Sequence, residues 1–231
     1  MNSINAAALR SKFIVIEGID GAGKDSVTHA LKNLLASLQL TSLKDTIITA
    51  EPTLKSPACL AIAKVLKQSQ PLSPEQCQAL AKLYIEDRQF HQKTLQFYKK
   101  HQKLILCVRY DLSTYAYQSA IFDAAARKTL FAEFYNLHAY NKPHGSLIPD
   151  LTYFLDIPLQ TSKKRVQSRG KSLHFYEKQQ TSFTKNVITA YHQAIEFLIK
   201  KDNRNIAVID ATQNIETILP VLKKHLIALT H

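Results

Sequence analysis

The segment Gly18-Ile19-Asp20-Gly21-Ala22-Gly23-Lys24 follows directly on the apolar run Phe13 to Glu17 and leads straight into a helical pattern. A strand, a glycine-bearing turn and a helix in that order make a P-loop, whose glycines let backbone N–H groups close around phosphate oxygens. The helix N-terminus adds a favourable partial positive charge. Lys24 stands where an ammonium can follow the charge that moves onto the β- and γ-phosphates of a nucleotide during transfer, so it is a candidate catalytic residue. Gly18, Ile19, Asp20, Gly21, Ala22, Gly23, Lys24, Asp25 and Ser26 are the candidate ATP contacts. The residue after the lysine is ordinarily Ser or Thr, whose hydroxyl ligates Mg²⁺, yet here it is Asp25 with Ser26 next. An anion so close to phosphates is costly unless a cation lies between them. Asp25 therefore either turns away at the helix start, where an acid suits the dipole, or holds the metal itself. Asp25 and Ser26 are the candidate metal ligands.

The elements that must position this turn are legible in the hydrophobic pattern. Phe13 to Glu17, Thr46 to Ala50, Leu104 to Val108, Thr152 to Asp156 and Ile206 to Asp210 are short, continuous and β-branched, as buried strands are. Helical patterns fill Lys24 to Leu38, Pro57 to Gln68, Pro74 to His101, Leu112 to Gln118, Lys128 to His138, Leu159 to Ser168, Phe175 to Lys201 and Ile215 to Ala228. The alternation predicts parallel strands with helical crossovers. The expected fold is a three-layer α/β domain, a five-stranded parallel sheet flanked by helices, with the phosphate site at the carboxyl ends of the strands. A chain of 231 residues suits one such domain, and no repeat, low-complexity tract or domain-sized linker divides it. Residues 1–10 are expected to be flexible.

Lys and Arg outnumber Asp and Glu by 30 to 18, for a formal charge of +12. That balance favours anionic partners, whether nucleotides, nucleic acid or acidic lipid, and does not choose among them. No RRM, KH or zinc-finger pattern points to nucleic acid. Cys59, Cys77 and Cys107 are odd in number and lack CxxC spacing, which argues against a disulfide framework or a zinc site and fits a reducing cytoplasm. No stretch of about 18 apolar residues occurs, so neither secretion nor membrane spanning is expected.

From Phe13 to about Leu222 the chain resembles the thymidylate kinases of the bacterial type. The opening Phe13 to Lys24 resembles the family's FxxxEGxDGxGK, which implies that Asp20 bonds the 3′-hydroxyl of the acceptor; on its own, an Asp there is simply a turn former. Glu51-Pro52 resembles the family's acceptor-phosphate loop, but Thr53-Leu54-Lys55-Ser56 follows without the usual arginine, leaving Lys55 as the substitute cation, without an arginine's bidentate fork. Tyr84-Ile85-Glu86-Asp87-Arg88-Gln89-Phe90-His91 is similar to FxADRxxH. Tyr84 and Arg88, four apart on one helix face, would stack on the thymine and bond its carbonyl edge. Arg109-Tyr110-Asp111-Leu112-Ser113-Thr114-Tyr115-Ala116-Tyr117-Gln118 resembles DRxDLSxxAYQ. That match makes Arg109 the phosphate clamp, puts Ser113 beside it, turns Thr114 and Gln118 toward the base, and sets Tyr117 against the sugar's 2′ position.

In the family an Asp precedes that arginine, where this chain has Val108. The two departures fit one account, in which Asp25 supplies from the P-loop the negative charge missing at Val108. Lys164 to Gly170 resembles the helix that enters the family's lid, here about residues 166–178. Arg165 and Arg169 are then the candidate lid cations, with Lys171 as helper, while Asp210-Ala211-Thr212-Gln213 resembles the segment that borders the adenine. The resemblance implies transfer of the ATP γ-phosphate to dTMP with Mg²⁺ as cofactor, in a homodimer. The alternatives are another deoxynucleotide as acceptor, or a P-loop protein that binds nucleotide with little turnover.

Overall fold

The computed structural model of the chain describes residues 4–41, 44–53, 55–68, 70–170 and 173–230; Leu54, Lys171 and Ser172 lie outside them. Its elements run α1 (Ala6–Leu9), β1 (Phe13–Glu17), α2 (Lys24–Ser37), β2 (Thr46–Ala50), α3 (Pro57–Val65), α4 (Pro74–Lys100), β3 (Leu104–Val108), α5 (Asp111–Ser119), α6 (Ala124–His138), β4 (Leu151–Asp156), α7 (Leu159–Ser168), a single 3-10 turn at Tyr176–Lys178, α8 (Thr181–Asp202), β5 (Ile206–Asp210) and α9 (Ile215–Leu229).

The strands form one five-stranded sheet in the order β2-β3-β1-β4-β5. All four pairings are parallel, with Phe13 opposite Ile105 and Ile14 opposite Leu151 in register. The fold is therefore the expected α/β arrangement. β1 lies centrally and is buried at every residue, whereas the edge strand β5 alternates between buried and more exposed positions although its residues Ile206 to Ile209 are all apolar. Helices flank the sheet: α2 packs with α9, and α8 with α5, which in turn meets α4. Because the order reverses on either side of β1, the chain leaves β1 and β3 in opposite directions and opens a crevice at their carboxyl ends.

Three helix boundaries differ from the hydrophobic pattern, the first being α3, which ends at Val65 and not at Gln68. α6 starts at Ala124, earlier than expected, because the Asp123 carboxylate accepts from the Ala126 amide and caps the run of alanines. The segment expected as one helix from Phe175 divides into the 3-10 turn and α8, with Gln180 extended between them. At the N-terminus, expected to be loose, Asn5 caps α1 and Ile4 and Leu9 are buried. All three cysteines are buried.

Candidate active site

The P-loop leaves β1 with Gly18 at φ +144° and Gly21 at φ +79°. A Cβ at Gly18 would lie 2.7 Å from the Leu155 carbonyl oxygen, and one at Gly21 would lie 2.8 Å from that of Ser162, so both positions need glycine. Ile19 and Ala22 turn their side chains into the core and leave only backbone toward the crevice. The Ser162 hydroxyl donates to the Asp20 carbonyl at 2.8 Å, pinning the turn to α7. Lys24 folds back over the loop, its Nζ donating to the carbonyls of Gly18 and Ile19 at 3.0 and 2.9 Å. Burial, reinforced by the nearby Arg109 charge, pushes its pKa down to about 7.

That depression has a consequence with a definite sign. Phosphate favours the ammonium, so ATP binding above about pH 7 must draw a proton onto Lys24, and affinity must fall as the pH rises further. Calorimetric titration of ATP at about pH 8, in buffers of different ionisation enthalpy, is expected to show uptake of up to one proton that Lys24→Met abolishes. Proton-neutral binding would contradict it.

Arg109 follows β3 in the left-handed region at φ +64°. From there its guanidinium donates to the Gly18 carbonyl at 3.3 Å and the Ser113 hydroxyl at 3.2 Å, pairs with the Asp20 carboxylate, and lies 5.3 Å from the centre of the Tyr117 ring. Burial alone would raise the Asp20 pKa, but Arg109 and Lys24 outweigh it and hold the carboxyl below its ordinary value. The backbone is fixed by Glu17, the acid of the FxxxEGxDGxGK opening, to which the sequence reading gave no role. Its buried carboxylate accepts from the amides of Tyr110 and Ser113 at 2.7 and 3.1 Å and from the Ser113 hydroxyl at 2.6 Å. Burial raises its pKa.

Behind α5, the buried Asp111 pairs with Arg204 at 2.7 Å and accepts from the Tyr140 hydroxyl at 2.7 Å, tying the helix start to the end of α8. Burial works against that carboxylate, yet Arg204 holds its pKa down to about 2.

A second cavity, of about 230 Å³, opens between α4 and α5. Arg88 is 1% exposed. Its Nε donates to Glu51 at 2.7 Å and its Nη1 to the Thr114 hydroxyl at 3.2 Å, with the guanidinium 4.7 Å from the Tyr110 ring centre. His91 holds the other Glu51 oxygen at 2.9 Å and the Thr49 hydroxyl at 2.9 Å. Asp87 fastens the loop after Pro52: it accepts from the Thr53 amide at 2.7 Å and hydroxyl at 2.6 Å, and from the Ser56 hydroxyl. Asp87 and His91 thus position the Glu51 loop, a role visible in the sequence only as the spacing of an acid and a histidine around Arg88. Tyr84, Arg88, Thr114, Tyr117 and Gln118 all line this cavity. Lys55 does not. It is exposed beside the loop and outside the lining of both cavities, because the ties to Asp87 fix Thr53 and Ser56 on either side and turn it outward.

The crevice over the P-loop is larger, about 480 Å³, and is lined by Lys24, Asp25, Ser26, Val108, Arg109, Arg165 and Arg169 among others. The expected lid arginines differ in kind. Arg165 bridges the P-loop to the segment after β5, donating to the carbonyls of Ala211 at 2.8 Å and Thr212 at 3.1 Å. Arg169 is exposed at the end of α7 and pairs with Glu177. Lys171 falls outside the described residues. A narrower groove between Gly23, Arg165, Ala211 and Gln213 continues from the crevice. Asp25 and Ser26 are exposed on the first turn of α2 and line the same crevice as Val108, offering it two oxygen-bearing side chains.

Residues 16–219 match the sequence model of the family described as Thymidylate kinase. The chain is similar to thymidylate kinases of Blochmanniella pennsylvanica, 29% identical over 94% of this chain and 95% of that one, and Mycoplasmopsis pulmonis, 31% identical over 95% and 91%. It is also 33% identical to that of Limosilactobacillus fermentum over 79% of this chain and 81% of the other. The P-loop crevice, the second cavity that meets it and the match across nearly the whole chain agree, and this protein belongs to the thymidylate kinase family.

Proposed function

We propose that the protein transfers the γ-phosphate of ATP to the phosphate of dTMP, giving ADP and dTDP. One observation carries this reading: Asp20, Glu51, Arg109 and His174 line both the P-loop crevice and the α4–α5 cavity, so a donor and an acceptor bound in the two would meet at those residues. The backbone of Gly18 to Gly23 cradles the donor phosphates, and the groove beside Ala211 and Gln213 takes the adenine. Lys24 and Arg109 stabilise charge on the transferring group, and Arg109 bonds the acceptor phosphate as well. Arg165 and Arg169 close the donor side. Asp20 and Tyr117 meet the sugar, with the Tyr117 hydroxyl 3.5 Å from Asp20 and its ring excluding a 2′-hydroxyl. Such transfer rests on positioning and charge neutralisation and involves no covalent intermediate. Mg²⁺, held by Asp25 and Ser26 when bound, supplies further neutralisation of the phosphates.

The base end favours a pyrimidine with a carbonyl at position 4. Arg88 spends Nε on Glu51 and Nη1 on Thr114, and its Nη2 makes no hydrogen bond among the described residues, leaving a donor for that carbonyl. A cytosine amino group there would leave two donors facing each other. Across a panel of monophosphates, kcat/KM is expected to be highest for dTMP, with dCMP lower by about 10²-fold or more. A clear preference for another acceptor would end the dTMP assignment. ADP formation independent of any monophosphate would instead favour a nucleotide-binding protein of low turnover, the alternative that Val108 and Asp25 keep in view.

The whole chain forms a single kinase domain in this reading, with residues 166–178 as its lid. It assembles as a homodimer through α4, where Phe90 and Phe97, seven residues apart, are exposed. No described helix is long and apolar enough to cross a membrane, and the three unpaired thiols suit the cytoplasm.

A further inference from the structure

We propose that Tyr191 is a positioning residue for the phosphate clamp, its hydroxyl completing the hydrogen bonds of Ser113 and so fixing the Arg109 guanidinium that Ser113 holds. Tyr191 lies in α8 and is fully buried. Its hydroxyl stands 2.9 Å from that of Ser113, 3.3 Å from the Glu17 carboxylate and 3.5 Å from the Gly18 carbonyl. One side chain of α8 therefore meets the end of β1, the first carbonyl of the P-loop and α5 at a single point. That same Gly18 carbonyl accepts from Lys24 and from Arg109.

The direction of each bond follows from what the groups can give. A hydroxyl carries one proton and accepts through two lone pairs. Arg109 can only donate, so its Nη1 takes one lone pair of Ser113, at 3.2 Å. The Glu17 carboxylate, which already accepts from the amides of Tyr110 and Ser113, takes the Ser113 proton at 2.6 Å. The second lone pair of Ser113 is left, and the Tyr191 hydroxyl donates to it. Ser113 is then saturated by partners from three parts of the fold and has one orientation. Without the Tyr191 hydroxyl that lone pair goes unmatched in a buried setting, and Ser113 and the guanidinium it accepts from are freer to turn.

The ring itself does a separate job. Its centre lies 4.9 Å from that of Phe154 and 6.1 Å from that of Tyr117, contacts a phenylalanine would keep, so Tyr191→Phe removes the hydroxyl and little else. Tyr153 supplies the control. It is equally buried and its hydroxyl donates to the Leu222 carbonyl at 2.8 Å, but it lines neither cavity.

The inference rests on the kinase reading for turnover, but one arm of its test does not. In the nucleotide-free protein, rotation of the Arg109 guanidinium about its Nε–Cζ bond is measured by NMR in wild type, Tyr191→Phe, Ser113→Ala, their double variant and Tyr153→Phe. Tyr191→Phe is expected to accelerate the rotation about fivefold, the worth of roughly one hydrogen bond, and Tyr153→Phe to leave it unchanged. The double variant is expected to rotate no faster than Ser113→Ala alone, because Tyr191 acts through Ser113. In the second arm kcat with dTMP falls about tenfold in Tyr191→Phe while the KM for ATP holds, and the change adds nothing in the Ser113→Ala background.

Unaltered guanidinium rotation or unaltered kcat in Tyr191→Phe would overturn the assignment. So would additive effects in the double variant, or an equal loss of kcat in Tyr153→Phe, either of which would reduce Tyr191 to packing. If wild type does not phosphorylate dTMP the kinase reading fails, while the rotation rates still decide whether Tyr191 holds Arg109.

Discussion

Arg109→Ala is expected to lower kcat on the order of 10³-fold, because the variant loses a fixed donor at the point where donor and acceptor meet. The fold invests in this side chain. A non-glycine residue at φ +64° costs about 1–2 kcal/mol, and Glu17 holds the strand end in place by gripping the amides of Tyr110 and Ser113. Arg109→Lys keeps the charge but not the fork and should recover only part of the loss. Arg109→Gly relieves the strain, so it should melt higher than the alanine variant while remaining as slow.

A pH signature accompanies the change. Asp20, whose pKa burial raises but Arg109 and Lys24 depress further, contributes stability above its unfolded pKa that is lost as pH falls through the folded value. Without Arg109 that contribution shrinks, and acid unfolding should begin at higher pH. Turnover within about tenfold of wild type would remove Arg109 from the transfer step.

Asp25→Ala is expected to cut turnover about 10²-fold and to raise the Mg²⁺ concentration needed for half-maximal rate. Asp25 and Val108 face the same crevice, so the acid of the first helical turn can stand in for one at the end of β3. Moving the charge back, with Asp25→Ser and Val108→Asp together, should preserve activity, whereas Val108→Asp alone places two carboxylates beside the phosphates and should slow the reaction. Steady-state rates over a Mg²⁺ titration decide it: an Asp25→Ala enzyme with wild-type kinetics would show that the acid serves only the helix dipole.

β1, β3 and β4 were legible because burial on both faces forces continuous apolar runs, and the less buried edge strands β2 and β5 still carry enough apolar residues to be read. The P-loop was legible because its chemistry demands several glycines within one short turn, here Gly18, Gly21 and Gly23. The acceptor cavity was legible only through a resemblance, and the roles it left unassigned share a physical trait. Glu17 grips residues more than ninety positions away, Asp111 pairs with Arg204 across a similar span, and Asp87 reaches back to Thr53. Contacts of that kind leave no periodic trace in a local window. Lys55 shows the converse failure, since a cation of suitable type next to Glu51-Pro52 is turned out by ties to Asp87 that composition does not reveal. The break before α8 was missed for a similar reason, because Gln180 resembles an ordinary helical residue and the turn before it is held by Glu177.

The burial of the thiols has a practical outcome for following the enzyme at work. Cys59, Cys77 and Cys107 are each less than a tenth exposed, and burial raises the pKa of all three, to about 11 for Cys77, so little thiolate is present for an alkylating dye. A cysteine introduced at an exposed lid position such as Leu173 would become the reactive one in the native fold. A single fluorophore there would report any movement of this segment on nucleotide binding without first stripping the protein of its own sulfur.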